Sequence, residues 1–292
     1  MLPAELFQKV RKIEIKTRRI VDEITGGAYH SVFKGRGIEF DEVREYTVND
    51  DVRDIDWNVT ARMGVPYIKK YVEERELTVM LLVDASASGA FGSGNTTKRE
   101  QAIELAALLA FSAIRNQDRV GLLIFTDRTE LYLPPRSGRS HGLRLIRELL
   151  AHRPEGSGTD INGALKNMVQ ALKKKAVIFL ISDLIEDHSF EKTLKIANKR
   201  HDVIAARILD PLEIKWPQSA ALMLEDAENG RTAFFPGRQD AALATYAAAA
   251  GTYHDATVDA CRRAKVDIID LRSGEDYVKP LIRFFKQRQG KR

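Results

Sequence analysis

The apolar and polar positions of this chain alternate between two patterns from residue 77 onwards. Short continuous apolar runs, typical of buried parallel strands, are followed by segments whose apolar residues recur at helical spacing. This alternation is typical of βα units, so the expected fold class is α/β, with a mostly parallel sheet between helices. We predict strands at residues 77–83, 120–126, 176–181, 203–208 and 266–271.

Helices are predicted between these strands. The first, residues 97–116, begins with Thr97 and Glu100 at the spacing of a capping box and is apolar almost all round, as expected for a helix packed centrally on a sheet. The others are predicted at residues 141–151, 161–172, 189–198, 240–264 and 277–289. The run at 130–133 is expected to be an antiparallel edge strand, and residues 212–238, which contain prolines and glycines, a loop or hairpin.

The first 76 residues have a different pattern of apolar and polar positions. Apolar and basic residues alternate at helical spacing up to Glu23, and the segment from Gly26 to Glu76 is polar and Gly-rich with short β-like pieces. We therefore expect three regions. Residues 1–76 form an N-terminal helix and a β-rich accessory region. Residues 77–275 form the α/β domain with its excursion at about 212–238, and residues 276–292 form a C-terminal helix and basic tail.

Composition narrows the class of protein. A chain of 292 residues can bury one large core, or one core plus a small accessory domain. Its single cysteine, Cys261, excludes an internal disulfide and a cysteine metal cluster, which favours a reducing cytoplasm. No apolar run reaches the ~18 residues needed to span a bilayer, and the first residues carry charges where a signal peptide needs an apolar centre. A cytoplasmic location without a membrane span is expected.

Polar side chains follow two of the predicted strands. Asp84, Ser86 and Ser88 come directly after the first strand, and Asp183 follows the third. Thr159 stands in a Gly-rich loop just before the helix at 161–172. Open α/β sheets bind ligands at the carboxyl ends of their strands, and hard oxygen donors suit Mg²⁺ or Mn²⁺. The alternative is a polar strand-to-helix turn in which serine caps a helix.

Taken in order, Asp-x-Ser-x-Ser, a threonine and a later aspartate resemble the metal-ion-dependent adhesion site of von Willebrand factor A domains. The resemblance implies a von Willebrand factor A-like, Rossmann-like fold. It also implies a metal site made of Asp84, Ser86, Ser88, Thr159 and Asp183. In that family the hydroxyls bind the ion directly, one or both aspartates act through water, and the open position takes a Glu or Asp carboxylate from a partner protein. Glycine follows the second serine here, where the family often has methionine.

The accessory region carries a closer resemblance. Its segments 35–40, 44–46, 49–57 and 60–62 read GRGIEF, REY, NDDVRDIDW and TAR, and a further segment, 224–230, reads LEDAENG. This order resembles the bacterial family called domain of unknown function 58, which carries an A-type domain. Many of its members are encoded beside MoxR-type AAA+ ATPases. The resemblance implies an adaptor or assembly role, with such an ATPase or its client as the partner.

The acidic residues of the accessory region have two interpretations. Asp50, Asp51, Asp54 and Asp56 lie close in sequence to basic residues that include Arg53. We expect them to form structural ion pairs and not a second metal site, because the glycine and the closing glutamate of a calcium-binding EF-hand loop are not at their positions.

Two other function classes stay open beside a non-enzymatic, metal-dependent protein-interaction module. Asp84 after a buried strand is reminiscent of haloacid-dehalogenase-like phosphatases, but Ser86 stands where their second aspartate is needed. Ser88 lacks the upstream glycine of a hydrolase nucleophile elbow. The net charge is +5, with basic clusters at 11–19 and 286–292, so nucleic-acid binding through the termini is the other alternative, although no nucleic-acid motif accompanies them.

Overall fold

The computed structural model describes residues 8, 10–15, 17, 20–21, 38–48, 50–73, 76–186, 189–217 and 221–290. The chain divides into two units, residues 33–77 and residues 78–292 with 1–32. In the smaller unit, β1 (Ile38–Glu45) pairs antiparallel with β2 (Tyr67–Glu73), and helix α1 (Trp57–Met63) lies between them in sequence. Asp56 caps α1 through the backbone N–H groups of Asn58 and Val59.

Ion pairs account for several of the acidic residues in this smaller unit. Asp50 accepts two hydrogen bonds from the guanidinium of Arg44, at 2.9 and 2.6 Å. Asp51 pairs with Arg53 at 2.9 Å, and Asp56 lies 3.5 Å from the Lys69 ammonium. For these three carboxylates the expected structural ion pairs are therefore present.

The larger unit is built on one six-stranded sheet. Its strands are β3 (Thr78–Asp84), β4 (Arg119–Phe125), β5 (Thr129–Arg136), β6 (Val177–Ser182), β7 (Asp202–Leu209) and β10 (Asp267–Arg272). Their spatial order is β10-β7-β6-β3-β4-β5, and every neighbouring pair is parallel except β4–β5. A separate antiparallel hairpin is formed by β8 (Leu222–Glu225) and β9 (Thr232–Phe235). The expected α/β fold with a mostly parallel sheet is confirmed.

Helices cover both faces of this sheet. They are α2 (Lys98–Arg115), α3 (Arg139–Ala151), α4 (Ile161–Ala171), α5 (Glu191–Arg200), the short α6 (Pro211–Ile214), α7 (Asp240–Arg263) and α8 (Val278–Gly290). Met80 and Leu82 of β3 lie in one core cluster with residues of α4 and α5, while Ala107 of α2 and Ile146 of α3 lie in another. Since both faces are covered, the central strands read as continuous apolar runs.

Element boundaries agree with the hydrophobic pattern to within a few residues. Near residue 130 the predicted edge strand is present as the longer β5, and residues 212–238 contain α6 and the β8–β9 hairpin. The N-terminal residues group differently from the expected region 1–76. Val10 is buried against Ala107 and Ile146 of the larger unit, because its apolar side chain completes the core there. The segment 35–37 of the family-like pattern lies outside the described residues.

Within the described ranges, none of the helices combines the length and the apolar character that crossing a bilayer requires.

Candidate functional site

The candidate site lies where two parallel neighbours of the central sheet end. β3 ends at Asp84 and β6 at Ser182, and the two strands pair in register up to Val83 and Ile181. The Asp84 carboxylate bridges both strand ends, because its Oδ1 accepts the backbone N–H of Ser86 at 2.8 Å and its Oδ2 accepts the Ser182 hydroxyl at 2.6 Å. Parallel pairing thus brings together side chains that are 98 positions apart in sequence.

A chain of hydroxyl contacts connects this carboxylate to a second one. The Ser86 and Ser88 hydroxyl oxygens lie 3.1 Å apart, and Ser88 donates to Asp183 Oδ2 at 2.8 Å. A short 3₁₀ turn, Ala87–Ala90, carries Ser88 and turns its side chain back towards the sheet edge. Four of the five predicted site residues, Asp84, Ser86, Ser88 and Asp183, are therefore close together.

These four residues line one small cavity. The space open to a water-sized atom is about 20 Å³. Since one water requires roughly 10–15 Å³ measured in this way, the cavity has room for a single water or a small ion. The other polar side chains around it are those of Lys98, Arg99 and Ser182.

Thr159, the fifth predicted residue, has a different partner. Its hydroxyl donates to Glu228 Oε1 at 2.8 Å, and Thr159 does not line the cavity. Its loop is nevertheless attached to the serine turn, because the Ala87 N–H donates to the Ser157 carbonyl at 2.9 Å. The geometry brings Thr159 to the same edge of the sheet without placing it among the other four.

Lys98 is a site residue that the sequence analysis missed. Its ammonium donates to Asp183 Oδ2 at 2.7 Å and to Glu213 Oε1 at 2.5 Å, and its side chain is only 4% exposed. The sequence holds one sign of this role. A lysine in the first turn of α2 opposes the helix dipole, and its position four residues before the buried Ala102 puts it on the buried face.

Charges in the site are only partly balanced. Burial, and next the neighbouring charge of Asp183, raises the pKa of Asp84 to about 6, although hydrogen bonds from Ser182 and Ser86 oppose the rise. Burial lowers the pKa of Lys98, but the carboxylates of Asp183 and Glu213 raise it by more, so the net shift is upwards. Burial also raises the pKa of Glu213, and the attraction of Lys98 offsets this only in part. The ammonium is held charged, while the ionised form of Asp84 is less stable than that of a solvent-exposed aspartate.

A buried carboxylate fixes the surroundings of Lys98. Asp210 is fully buried and accepts hydrogen bonds from Ser93 N at 2.8 Å, from the Ser273 hydroxyl at 2.5 Å and from Leu212 N at 2.9 Å. As the N-cap of α6 it also forms a capping box with Glu213. This arrangement holds Glu213 in place to receive the Lys98 ammonium.

The chain matches a known family over most of its length. The family described as "Protein of unknown function DUF58" matches residues 42–256. Among curated proteins, "Uncharacterized protein Rv1480" of Mycobacterium tuberculosis is 30% identical over 290 residues, which are 98% of this chain and 90% of that protein. "Uncharacterized protein MAV169" of Mycobacterium avium is 29% identical over 160 residues, which are 54% of this chain and 94% of that protein.

Solved structures with a similar layout are more distant. BatB from Bacteroides thetaiotaomicron is 15% identical with a TM-score of 0.45, covering 74% of this chain and 100% of that chain. The SpRpn10 VWA domain is 15% identical with a TM-score of 0.40, covering 70% of this chain and 94% of that domain. Identities and TM-scores of this size carry neither a ligand nor a partner over to the present protein.

Proposed function

This chain belongs to the family described as "Protein of unknown function DUF58", and we propose that it is a non-enzymatic protein-interaction module whose site takes Mg²⁺ or Mn²⁺. The observation that carries the proposal is the meeting of Asp84, Ser86, Ser88 and Asp183 around a cavity of about 20 Å³. This cluster of side chains fits a von Willebrand factor A-like metal site. Its hydroxyls are neutral and its carboxylates are few, so a bound cation would keep enough positive charge to attract another carboxylate.

The donor set fits such a cation in two respects. All four side chains offer hard oxygen atoms, which Mg²⁺ and Mn²⁺ prefer. Among the described residues there is no cluster of three or more His, Cys, Asp or Glu side chains with metal-site geometry, so a hydroxyl-rich site agrees better than an acidic cage. The raised pKa of Asp84 also favours a cation at this site, because a buried carboxylate with too little positive charge near it is stabilised when a cation binds.

The roles of the two aspartates follow from their present contacts. Asp183 Oδ2 accepts from Ser88 and Lys98, and its Oδ1 accepts the Ile185 N–H at 3.1 Å, so Asp183 would act through water. Asp84, whose Oδ2 accepts only the Ser182 hydroxyl among the contacts above, would face the ion more directly. The Thr159 hydroxyl donates its hydrogen bond to Glu228, and its oxygen lone pairs would still be available to a cation, because a hydroxyl is both donor and acceptor.

A protein partner with an exposed Glu or Asp suits this site. The bound cation supplies positive charge at an open coordination position, and the side chains of the chain hold that cation in place. The resemblance to the DUF58 pattern favours a MoxR-type AAA+ ATPase, or a client of it, as that partner, and hence an adaptor or assembly role. The hydrolase alternative is disfavoured because Ser86, whose backbone N–H donates to Asp84, stands where a haloacid-dehalogenase-like phosphatase needs its second aspartate.

Calorimetric titration tests the cation first. We expect Mg²⁺ to bind the wild-type protein with millimolar to micromolar affinity and Asp84→Ala to lose this binding, because Asp84 supplies charge that the serine hydroxyls lack. Asp255→Ala is the matched control, since Asp255 is an exposed aspartate on α7. Equal Mg²⁺ binding by wild type and Asp84→Ala would contradict the proposed site.

Partner binding is the second arm of the test. A purified MoxR-type ATPase from the same host is titrated with wild type, Asp84→Ala and Asp255→Ala, always with Mg²⁺ present, because the ATPase itself needs Mg²⁺ for its nucleotide. Losing one side of a buried charge contact typically costs about 2–5 kcal/mol, so Asp84→Ala should bind at least about 30-fold more weakly. Equal affinities of all three proteins would mean that another surface holds the ATPase.

A further inference from the structure

The β8–β9 hairpin ends in a turn that presents one glutamate. Within the turn, Asp226 accepts the Glu228 N–H at 2.9 Å and the Asn229 side-chain amide at 2.6 Å, and Asp226 N donates to Arg231 O at 2.8 Å. Gly230 closes the turn with φ at +69°, a conformation that favours glycine. These local bonds fix the backbone at Glu228 independently of what its carboxylate contacts.

Two contacts place this glutamate against the loop that carries Thr159, at the same edge of the sheet as the cavity. Thr159 donates to Glu228 Oε1 at 2.8 Å, and the Ser157 hydroxyl donates to the Glu228 carbonyl at 3.2 Å. Ser157 is itself bonded through its carbonyl to Ala87, the residue between the two site serines. The Glu228 carboxylate therefore lies beside the loop that is bonded to the serine turn.

We infer that Glu228 is an internal acidic ligand of the candidate cation site, occupying the place that a partner's carboxylate would take. The inference rests on the proposed function, since it identifies what competes for the open coordination position. Thr159 can hold Glu228 and bind a cation at the same time, because its hydroxyl donates one proton and keeps its lone pairs. A partner's Glu or Asp must then displace Glu228 before it can bind.

The hairpin is suited to such displacement. In β8 and β9 only Leu224 and Phe235 are partly buried, and the other six residues are exposed. Phe235 packs edge-on against Trp216 with ring centroids 5.4 Å apart, but it lies at the end of the hairpin away from the turn, so this contact anchors the base and leaves the turn free of apolar packing. Met223 and Phe234 are direct cross-strand partners and are 66% and 65% exposed. Lifting the turn from Thr159 would therefore cost mainly the contacts of Glu228 itself.

Binding of Mn²⁺ alone tests the inference, with the affinity and the water-proton relaxation of the bound ion as the two readouts. The variant is Glu228→Gln, which keeps an oxygen acceptor for Thr159 but removes the charge. Glu225→Gln is the matched control, because Glu225 is an exposed glutamate of the same hairpin. Thermal unfolding of each variant confirms that it is folded.

We expect Glu228→Gln to bind Mn²⁺ about tenfold more weakly than wild type, the order found when a carboxylate that supports a metal site is lost. Its bound Mn²⁺ should relax water protons more strongly, since a coordination position becomes open, and added acetate should reverse this change. Glu225→Gln should match wild type in both readouts.

The failures of the two hypotheses are distinguishable. If Asp84→Ala abolishes Mn²⁺ binding but Glu228→Gln equals wild type in affinity and relaxation, the inference about Glu228 is wrong and the proposed cation site stands. If wild type binds no Mn²⁺, or Asp84→Ala binds it equally well, both are overturned.

Discussion

Replacing Lys98 by methionine tests the electrostatic balance of the site. Methionine is a flexible unbranched side chain of similar length, so it fills much of the same space while removing the ammonium. In the wild type this ammonium lies 2.7 Å from Asp183 Oδ2 and 2.5 Å from Glu213 Oε1. The side chain of Asp183 is 4% exposed and that of Glu213 is 18% exposed. The variant therefore leaves two buried or nearly buried carboxylates without their shared partner.

Removing one side of a buried ion pair costs about 3–5 kcal/mol, because the remaining charge stays desolvated. For a unit of this size, each kcal/mol corresponds to about 2–4 °C in melting temperature. We therefore expect Lys98→Met to melt roughly 6–20 °C below wild type at pH 7.5. Loss of the ammonium also removes the charge that offsets the burial-raised pKa of Glu213, so the deficit should shrink as the pH falls and Glu213 becomes protonated.

Thermal unfolding followed by circular dichroism measures the effect, in buffer with a chelator and again with Mg²⁺. Lys195→Met is the control, since Lys195 is an exposed lysine in the middle of α5. With Mg²⁺, Lys98→Met should recover more stability than wild type gains, because the cation supplies some of the missing positive charge. A melting temperature of Lys98→Met within 2 °C or so of Lys195→Met would refute the electrostatic reasoning.

Two further outcomes are expected. Without divalent cations, the pKa of Asp84 near 6 exceeds its ordinary 3.8, so its contribution to stability is complete below about pH 4 and lost as the pH rises through about 6. Urea midpoints should fall over this window in wild type more than in Asp84→Asn, and equal slopes would contradict the assignment. Gly121→Ala would place a Cβ 2.4 Å from Met80 Sδ and 2.9 Å from a backbone oxygen, so it should lose about 1–3 kcal/mol. Gly251→Ala, in α7 with nothing within 4 Å, should gain about 0.5–1 kcal/mol, and the same sign for both glycines in thermal unfolding would count against this packing argument.

Local sequence patterns were enough to predict the strands of the sheet and part of the candidate site. The strand ending at Asp84 could be predicted because burial on both faces requires an unbroken apolar run, and the polar residues after it mark the strand's end. Asp183 follows another such run, so parallel pairing alone implied that the two carboxylates lie at one sheet edge. The capping box at Thr97 and Glu100 is similarly local and was present as predicted.

The sequence by itself determined the α/β class and the oxygen-rich strand ends, because strand burial, helix periodicity and capping are properties of neighbouring residues. Only the tertiary structure decided which charges face one another. Lys98 meets Glu213 across 115 positions, and Thr159 meets Glu228 across 69, the second glutamate being carried by a hairpin on an excursion from the sheet. No local sequence pattern encodes these two contacts, because they depend on which segments, distant in sequence, lie side by side once the core has packed.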